Sequence, residues 1–173
     1  PEDRVLVTGS PKFDALVEAV AGYDVVEVRR TVGVPKGARF LVLASRFSAV
    51  GPVFEELVEA VEHLDDLWLL VKPHQAESAT PYVEVLSRLS PSRSRLVDTS
   101  MNLLELLFAS DGLITVDSFA SSEALVLGRP VVVVNLPSNL ASLVDRGVAL
   151  GVARGASIEA ALRRLLFEDR LAR

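Results

Sequence analysis

The side chains with the most chemistry to offer stand at the ends of apolar runs. Asp117 and Ser118 follow Gly112–Val116, Arg46 follows Phe40–Ala44, and Lys72-Pro73-His74 follows the run that ends at Val71. Asp117, Ser118 and His74 have the residue types of a hydrolase triad. No G-x-S-x-G elbow surrounds the serine, however, and an adjacent Asp-Ser is better read as a helix N-cap. A helix starting there presents free N–H groups at its positive end, so the amides of Ser118, Phe119 and Ala120 suit an anion, a phosphate above all. Ligands of open α/β sheets bind beyond the carboxyl ends of the strands, where the Arg46 guanidinium could meet a diphosphate. An exposed loop arginine is the alternative. His74 at the same edge could donate to a phosphate or a base edge, or simply cap its loop. Glu123 lies one turn into the helix, so its carboxylate could accept from vicinal ribose hydroxyls or merely complement the helix dipole.

Other chemistries lack their residues. The two histidines and scattered carboxylates show no metal-ligand spacing, and no cofactor is expected. Neither a G-x-G-x-x-G fingerprint nor a P-loop occurs, against NAD and ATP in their usual modes. The formal net charge of -5 argues against nucleic acid as a partner, because neutralising phosphates takes a basic face. Without cysteine there is no disulfide or thiolate chemistry, which fits a cytoplasmic protein. Every apolar run is far shorter than the ~20 residues a membrane helix needs, so no span is expected. The chain opens at Pro1 without an initiator methionine, which suggests an excised piece such as half of a two-domain enzyme.

The elements that must position these side chains alternate. A chain of 173 residues, half of them hydrophobic, predicts one α/β domain over 1–173. Short strands are expected at Arg4–Thr8, Phe40–Ala44, Leu67–Val71, Arg95–Asp98, Gly112–Val116, Val131–Val134 and Gly147–Val152. Helices are expected over Lys12–Ala21, from Pro52 to about His63, over Pro81–Leu89 behind Thr80 or Ser78, over Met101–Phe108 behind Ser100, and over Phe119–Leu127. A further short helix behind Ser138 and a terminal one behind Ser157 complete the set. Residues 24–34 are rich in β-branched side chains, yet Val25, Val28 and Val32 recur at helical spacing and Gly33 stands before Pro35; a helix is predicted. Such alternation implies a doubly wound parallel sheet in three layers, a Rossmann-like fold with about six core strands.

Four segments also carry a resemblance. The run D-S-x-x-x-x-E-A-L-x-x-G-x-P-V from Asp117 to Val131 resembles the nucleotide-binding signature in the C-terminal half of GT-B-type sugar-nucleotide enzymes. These include the UDP-N-acetylglucosamine 2-epimerases and the polysaccharide glycosyltransferases built like them. Val7-Thr-Gly-Ser-Pro-Lys-Phe-Asp14 is similar to the V-T-G-N-P-x-F-D that opens that half, Lys72-Pro73-His74 to its K-P-H, and Glu105 to Asp111 to its helix ending in S-D. Residues 28–35 also resemble the family's L-R-R-x-L-G-L-P helix.

The resemblance implies a strand order of 3-2-1-4-5-6 and a nucleoside-diphosphate sugar as ligand, UDP favoured over CDP. It places Gly9 and Ser10 against the diphosphate; Ser10 replaces the usual Asn, so only a backbone role carries over, and a bare connecting turn is the alternative. It makes Asp98, Thr99 and Met101 candidates for the wall that holds the base, with ordinary packing an equal reading for Met101, and Glu123 the residue that holds the ribose. It leaves catalytic residues unassigned, since those and the acceptor site lie mostly in the missing N-terminal acceptor-binding domain. A glycosyltransferase of bacterial surface polysaccharide or glycoconjugate synthesis is the expected activity. Phe119-Ala120 stands where the 2-epimerases have Gly-Gly, which disfavours an epimerase. A non-catalytic Rossmann-like scaffold is the rival from another class.

Overall fold

The structure, a computed structural model, describes residues 9–168. The strand expected at Arg4–Thr8 lies outside the described residues. Six apolar runs form one parallel sheet: β1 (Arg39–Leu43), β2 (Leu67–Val71), β3 (Ser94–Leu96), β4 (Gly112–Thr115), β5 (Val131–Leu136) and β6 (Leu150–Ala153). Their order is β3-β2-β1-β4-β5-β6, as expected. Strands buried on both faces need near-continuous apolar runs, and β1, β2, β4 and β5 have them, with Arg39, Thr115 and Asn135 as the polar exceptions. Leu41 and Leu43 of β1 and Val132 and Val134 of β5 face one core, with α3 (Phe47–Glu62), α4 (Thr80–Leu89) and α8 (Ile158–Arg163). Phe40, Val42, Val131 and Val133 face the other, with α2 (Val25–Thr31), α5 (Leu103–Ala109) and α6 (Ala120–Val126). The chain is thus a three-layer α/β fold of the doubly wound type. Two further helices lie outside these groups: α1 (Pro11–Val20), which packs on α6, and α7 (Ala141–Asp145) beside β6. Among the described residues no helix is long and apolar enough to cross a membrane.

The sheet's two halves meet between β1 and β4, in a register of only three residue pairs. That seam is fastened at both ends. At the amino end, Asp111 accepts the N–H of Phe40 through Oδ2 at 2.8 Å and donates its own N–H to the Phe40 carbonyl at 2.9 Å. At the carboxyl end, fully buried Thr115 donates its hydroxyl to the Ala44 carbonyl at 2.8 Å and accepts the N–H of Ser118 at 3.1 Å.

Several element starts differ from the sequence expectation, each for a local reason. α3 begins at Phe47, five residues before Pro52, which therefore lies inside the helix and leaves out one i→i−4 bond. An acceptor thirty residues away, the carboxylate of Glu77, meets the N–H of Phe47 and sets the earlier start. α5 is capped by Asn102, whose Oδ1 accepts the N–H of Leu104 at 2.9 Å, and not by Ser100. Both the N–H and hydroxyl of Ser100 are taken by Asp98 Oδ1 at 2.7 Å. Ser157 caps α8 as expected, through the N–H of Ala160. β6 starts at Leu150, because Gly147 at φ +68° is spent closing α7. At the end of α6, Gly128 has φ +67°; its N–H bonds Leu125 and that of Arg129 bonds Ala124, the paired reversal that needs a left-handed residue.

Candidate functional site

Parallel strands bring all their carboxyl-end loops to one edge, and a cleft opens there over the seam between β1 and β4. It has a volume of about 790 Å³. From the β1 loop come Ala44, Ser45 and Arg46, and from the β2 loop Lys72, Pro73, His74 and Gln75. Residues 100–103 form one wall, and Asp117, Ser118 and Phe119 form the opposite one. This is the point where strand order reverses, the usual ligand crevice of doubly wound sheets.

The cations differ in their surroundings. Arg46 is exposed, and among the described residues it has no carboxylate partner. Lys72 is only 6% exposed; its Nζ donates to the Thr99 carbonyl at 2.5 Å, with two N–H donors left over. Burial pushes the Lys72 pKa down, and the charge of Asp98 opposes that shift. His74 accepts the N–H of Ala76 at Nδ1, 3.1 Å away, so the neutral ring carries its proton on Nε2 and can donate there.

The turn before α6 is partly occupied by its own bonds. The N–H of Ser118 goes to Thr115 and that of Ala120 to Ser118 Oγ at 3.2 Å. The N–H of Phe119 meets no acceptor among the described residues. Of the three amides expected to face an anion, one is therefore uncommitted. Ser118 Oγ and His74 share no bond, so the nucleophile–base contact of a hydrolase is missing. Among the described residues no group of three or more His, Cys, Asp or Glu is placed to hold a metal ion.

Five of the expected site residues line this cleft: Arg46, His74, Met101, Ser118 and Phe119. Thr99 stands behind its wall, with its carbonyl on Lys72. Ala120 is buried at the first turn of α6. Glu123 lies off the cleft wall, its carboxylate 16% exposed and 2.9 Å from Lys12 Nζ. That ammonium also sits 4.2 Å from the centre of the Phe119 ring, and Phe13 stacks on Phe119 at 6.5 Å. The first turn of α1, with Gly9 and Ser10 just ahead of it, accordingly lies beside the start of α6. Sequence reasoning gave no role to Ser45, Lys72, Gln75, Asn102 or Asp117 in the cleft; the K-P-H motif was the available signal for Lys72.

No family model and no curated protein matches the chain. Solved structures do. The UDP-GlcNAc 2-epimerase from Neisseria meningitidis bound to UDP-GlcNAc superposes with a TM-score of 0.73 at 18% identity, over 95% of this chain and 47% of that one. A glycosyltransferase from Rickettsia africae gives 0.72 at 16% identity, over 95% and 48%. The co-structure of S. aureus MnaA with UDP gives 0.70 at 20% identity, over 96% and 47%. The chain spans about half the length of these structures. In its fold, this chain is therefore similar to about half of these UDP-GlcNAc 2-epimerase and glycosyltransferase structures.

Proposed function

We propose that this chain is the sugar-nucleotide-binding half of a GT-B-type glycosyltransferase, acting in the cytoplasm in surface polysaccharide or glycoconjugate synthesis. The observation that carries the reading is the cleft over the seam, whose lining brings together Arg46 without a carboxylate partner, buried Lys72, the Nε2 donor of His74 and Phe119 with its uncommitted amide. That set suits a diphosphate. The UDP and UDP-GlcNAc present in two of the structural neighbours support a ligand of that class.

In this reading Arg46, His74 and the Phe119 amide hold the diphosphate and stabilise the negative charge it gains as a leaving group. Lys72 adds its charge from the cleft floor. Met101 forms the wall against the base with Thr99 behind it, Glu123 would have to exchange its ion pair with Lys12 for the ribose, and the backbone of Gly9 and Ser10 closes over the phosphates. Acceptor binding and chemistry belong to the partnering half, so the chain by itself binds the donor and turns nothing over. An epimerase-type half is the second reading, favoured by the Neisseria neighbour and disfavoured by Phe119-Ala120 in place of the Gly-Gly expected of a 2-epimerase.

Calorimetric titration with UDP, CDP and UDP-GlcNAc tests the proposal. Saturable one-to-one binding, tighter for UDP than for CDP and weakened by salt, is the expected result. No heat with any of them at millimolar concentration would favour the non-catalytic scaffold.

A further inference from the structure

The residues on either side of Arg46 are held by one pair of side chains from another part of the chain. Glu77 Oε2 accepts the N–H of Phe47 at 3.1 Å, and Oε1 lies 3.3 Å from the N–H of His74. The same Oε1 is 2.9 Å from the hydroxyl of Tyr82, which is also 2.7 Å from the Ser45 carbonyl. A phenol has one hydrogen to donate, so Tyr82 sits between an acceptor on the β1 loop and a carboxylate on the β2 loop. Tyr82 is fully buried, and the Phe47 ring packs edge-on against it at 4.9 Å. Burial first, and then the bond to Glu77 and its charge, hold the phenol well above its ordinary pKa, so it stays a donor. Ser45 and Phe47 flank Arg46, and His74 is fastened to the same carboxylate.

We propose that Glu77 and Tyr82 form a positioning brace for the cleft, setting the backbone under Arg46 and His74 at one fixed spacing for the anionic part of the ligand. Neither side chain lines the cleft, so they act through Arg46 and His74 and not on the ligand. A flexible arginine loses much rotamer freedom on binding, and a preorganised backbone lowers the cost of bringing the two donors to one diphosphate. This inference rests on the sugar-nucleotide reading for the identity of that anion.

The test is a double-mutant cycle on UDP binding with Glu77→Ala, Arg46→Ala and the pair together, plus Glu77→Gln and Tyr82→Phe. Amide exchange of the ligand-free proteins is read alongside. Glu77→Ala is expected to weaken UDP binding about tenfold, an ordinary coupling for groups in one network. In the Arg46→Ala background that loss should shrink to less than about threefold. Glu77→Gln keeps an acceptor oxygen and should recover most of the affinity; Tyr82→Phe keeps the ring packing and should give a smaller loss. The amides of Phe47 and His74 should exchange faster together in Glu77→Ala while those of β1 and β2 do not change. Equal losses in both Arg46 backgrounds, or no loss at all, overturn the positioning role. Failure of the parent to bind UDP overturns the sugar-nucleotide reading and this role with it. The brace itself is then decided by exchange, and unchanged Phe47 and His74 amides overturn that too. Should Glu77→Ala not fold, the same comparisons are made with Glu77→Gln and Tyr82→Phe.

Discussion

Lys72→Met should separate ligand binding from stability. Lys72 is 6% exposed, the one hydrogen-bond partner of its ammonium among the described residues is the neutral Thr99 carbonyl at 2.5 Å, and its pKa is lowered by burial against the pull of Asp98. Two effects oppose each other in the ligand-free protein. Losing a hydrogen bond from a charged donor costs ~1.5–3 kcal/mol. Replacing a buried ion by an apolar side chain of similar size is often neutral or stabilising, by ~1–4 kcal/mol. The net change should therefore stay below ~1.5 kcal/mol, a shift of roughly 3–6 °C in melting temperature for a chain of this size. Binding has no such compensation, because a charged donor aimed at phosphate is lost. UDP affinity should fall by ~1.5–3 kcal/mol, about 10–150-fold.

The pH dependence has a definite sign. A lysine pKa depressed below its ordinary 10.5 means that the folded protein binds this proton less tightly than the unfolded chain. Stability from this group is present above 10.5 and lost as pH falls through the depressed value. The parent should therefore gain stability relative to Lys72→Met as pH rises toward 10.5. Urea denaturation of both proteins from neutral pH to about pH 10 measures this, with UDP calorimetry at neutral pH. Loss of more than ~3 kcal/mol of stability with unchanged UDP affinity would refute the reasoning and make Lys72 a tie for the 98–102 loop.

Three other substitutions probe the same picture. Arg46→Ala should weaken UDP binding by ~1.5–3 kcal/mol with little effect on melting, since the guanidinium is exposed and unpaired; equal calorimetric affinity would remove it from the site. Glu123→Gln should weaken UDP but not 2′,3′-dideoxy-UDP if the carboxylate takes the ribose. If it serves only its ion pair with Lys12, whose side chain is 55% exposed, affinity should hold and stability fall by no more than ~1 kcal/mol. Gly128→Val should cost on the order of 1–3 kcal/mol by thermal unfolding, from the backbone alone, because φ is +67° and nothing lies within 4 Å of a built Cβ.

Much of the fold was legible because its signals are local. Runs such as Val131–Val134 have no amphipathic alternation, which only a strand covered on both faces tolerates, and the helices between them repeat at helical spacing. Residues 24–34 read correctly as helix because Asp24 caps it, accepting the N–H groups of Val26 and Glu27, and Gly33 stops it at φ +67°. What escaped depends partly on a partner far along the chain and partly on local competition between caps. The start of α3 rests on Glu77, and the cap of α5 moved to Asn102 because Asp98 claimed Ser100. Arg46, His74, Ser118 and Phe119, singled out at strand carboxyl ends, line one cleft because those ends converge, and Met101, singled out by the resemblance, lines it too. Lys72 received no role because its burial and its bond to the Thr99 carbonyl, twenty-seven residues away, carry no local signal. Glu77 and Tyr82 carry no motif at all; their role exists only in three dimensions.

The narrow β1–β4 seam has a consequence for how ligand binding registers in the molecule. Arg46, Lys72 and His74 stand on one side of it, and Asp117, Ser118 and Phe119 on the other. A ligand seated in the cleft thus acts as a cross-link between two half-sheets that share three paired residues and the fastenings at Asp111 and Thr115. Its binding free energy adds to the work of parting them, ~2.7 kcal/mol at a ligand concentration one hundred times Kd. Amides of Leu41–Leu43 and Gly112–Ile114 should then slow in hydrogen exchange on saturation, while those of the outer strands β3 and β6 gain least. Occupancy would be readable from the middle of the sheet, some distance from any atom that touches the ligand.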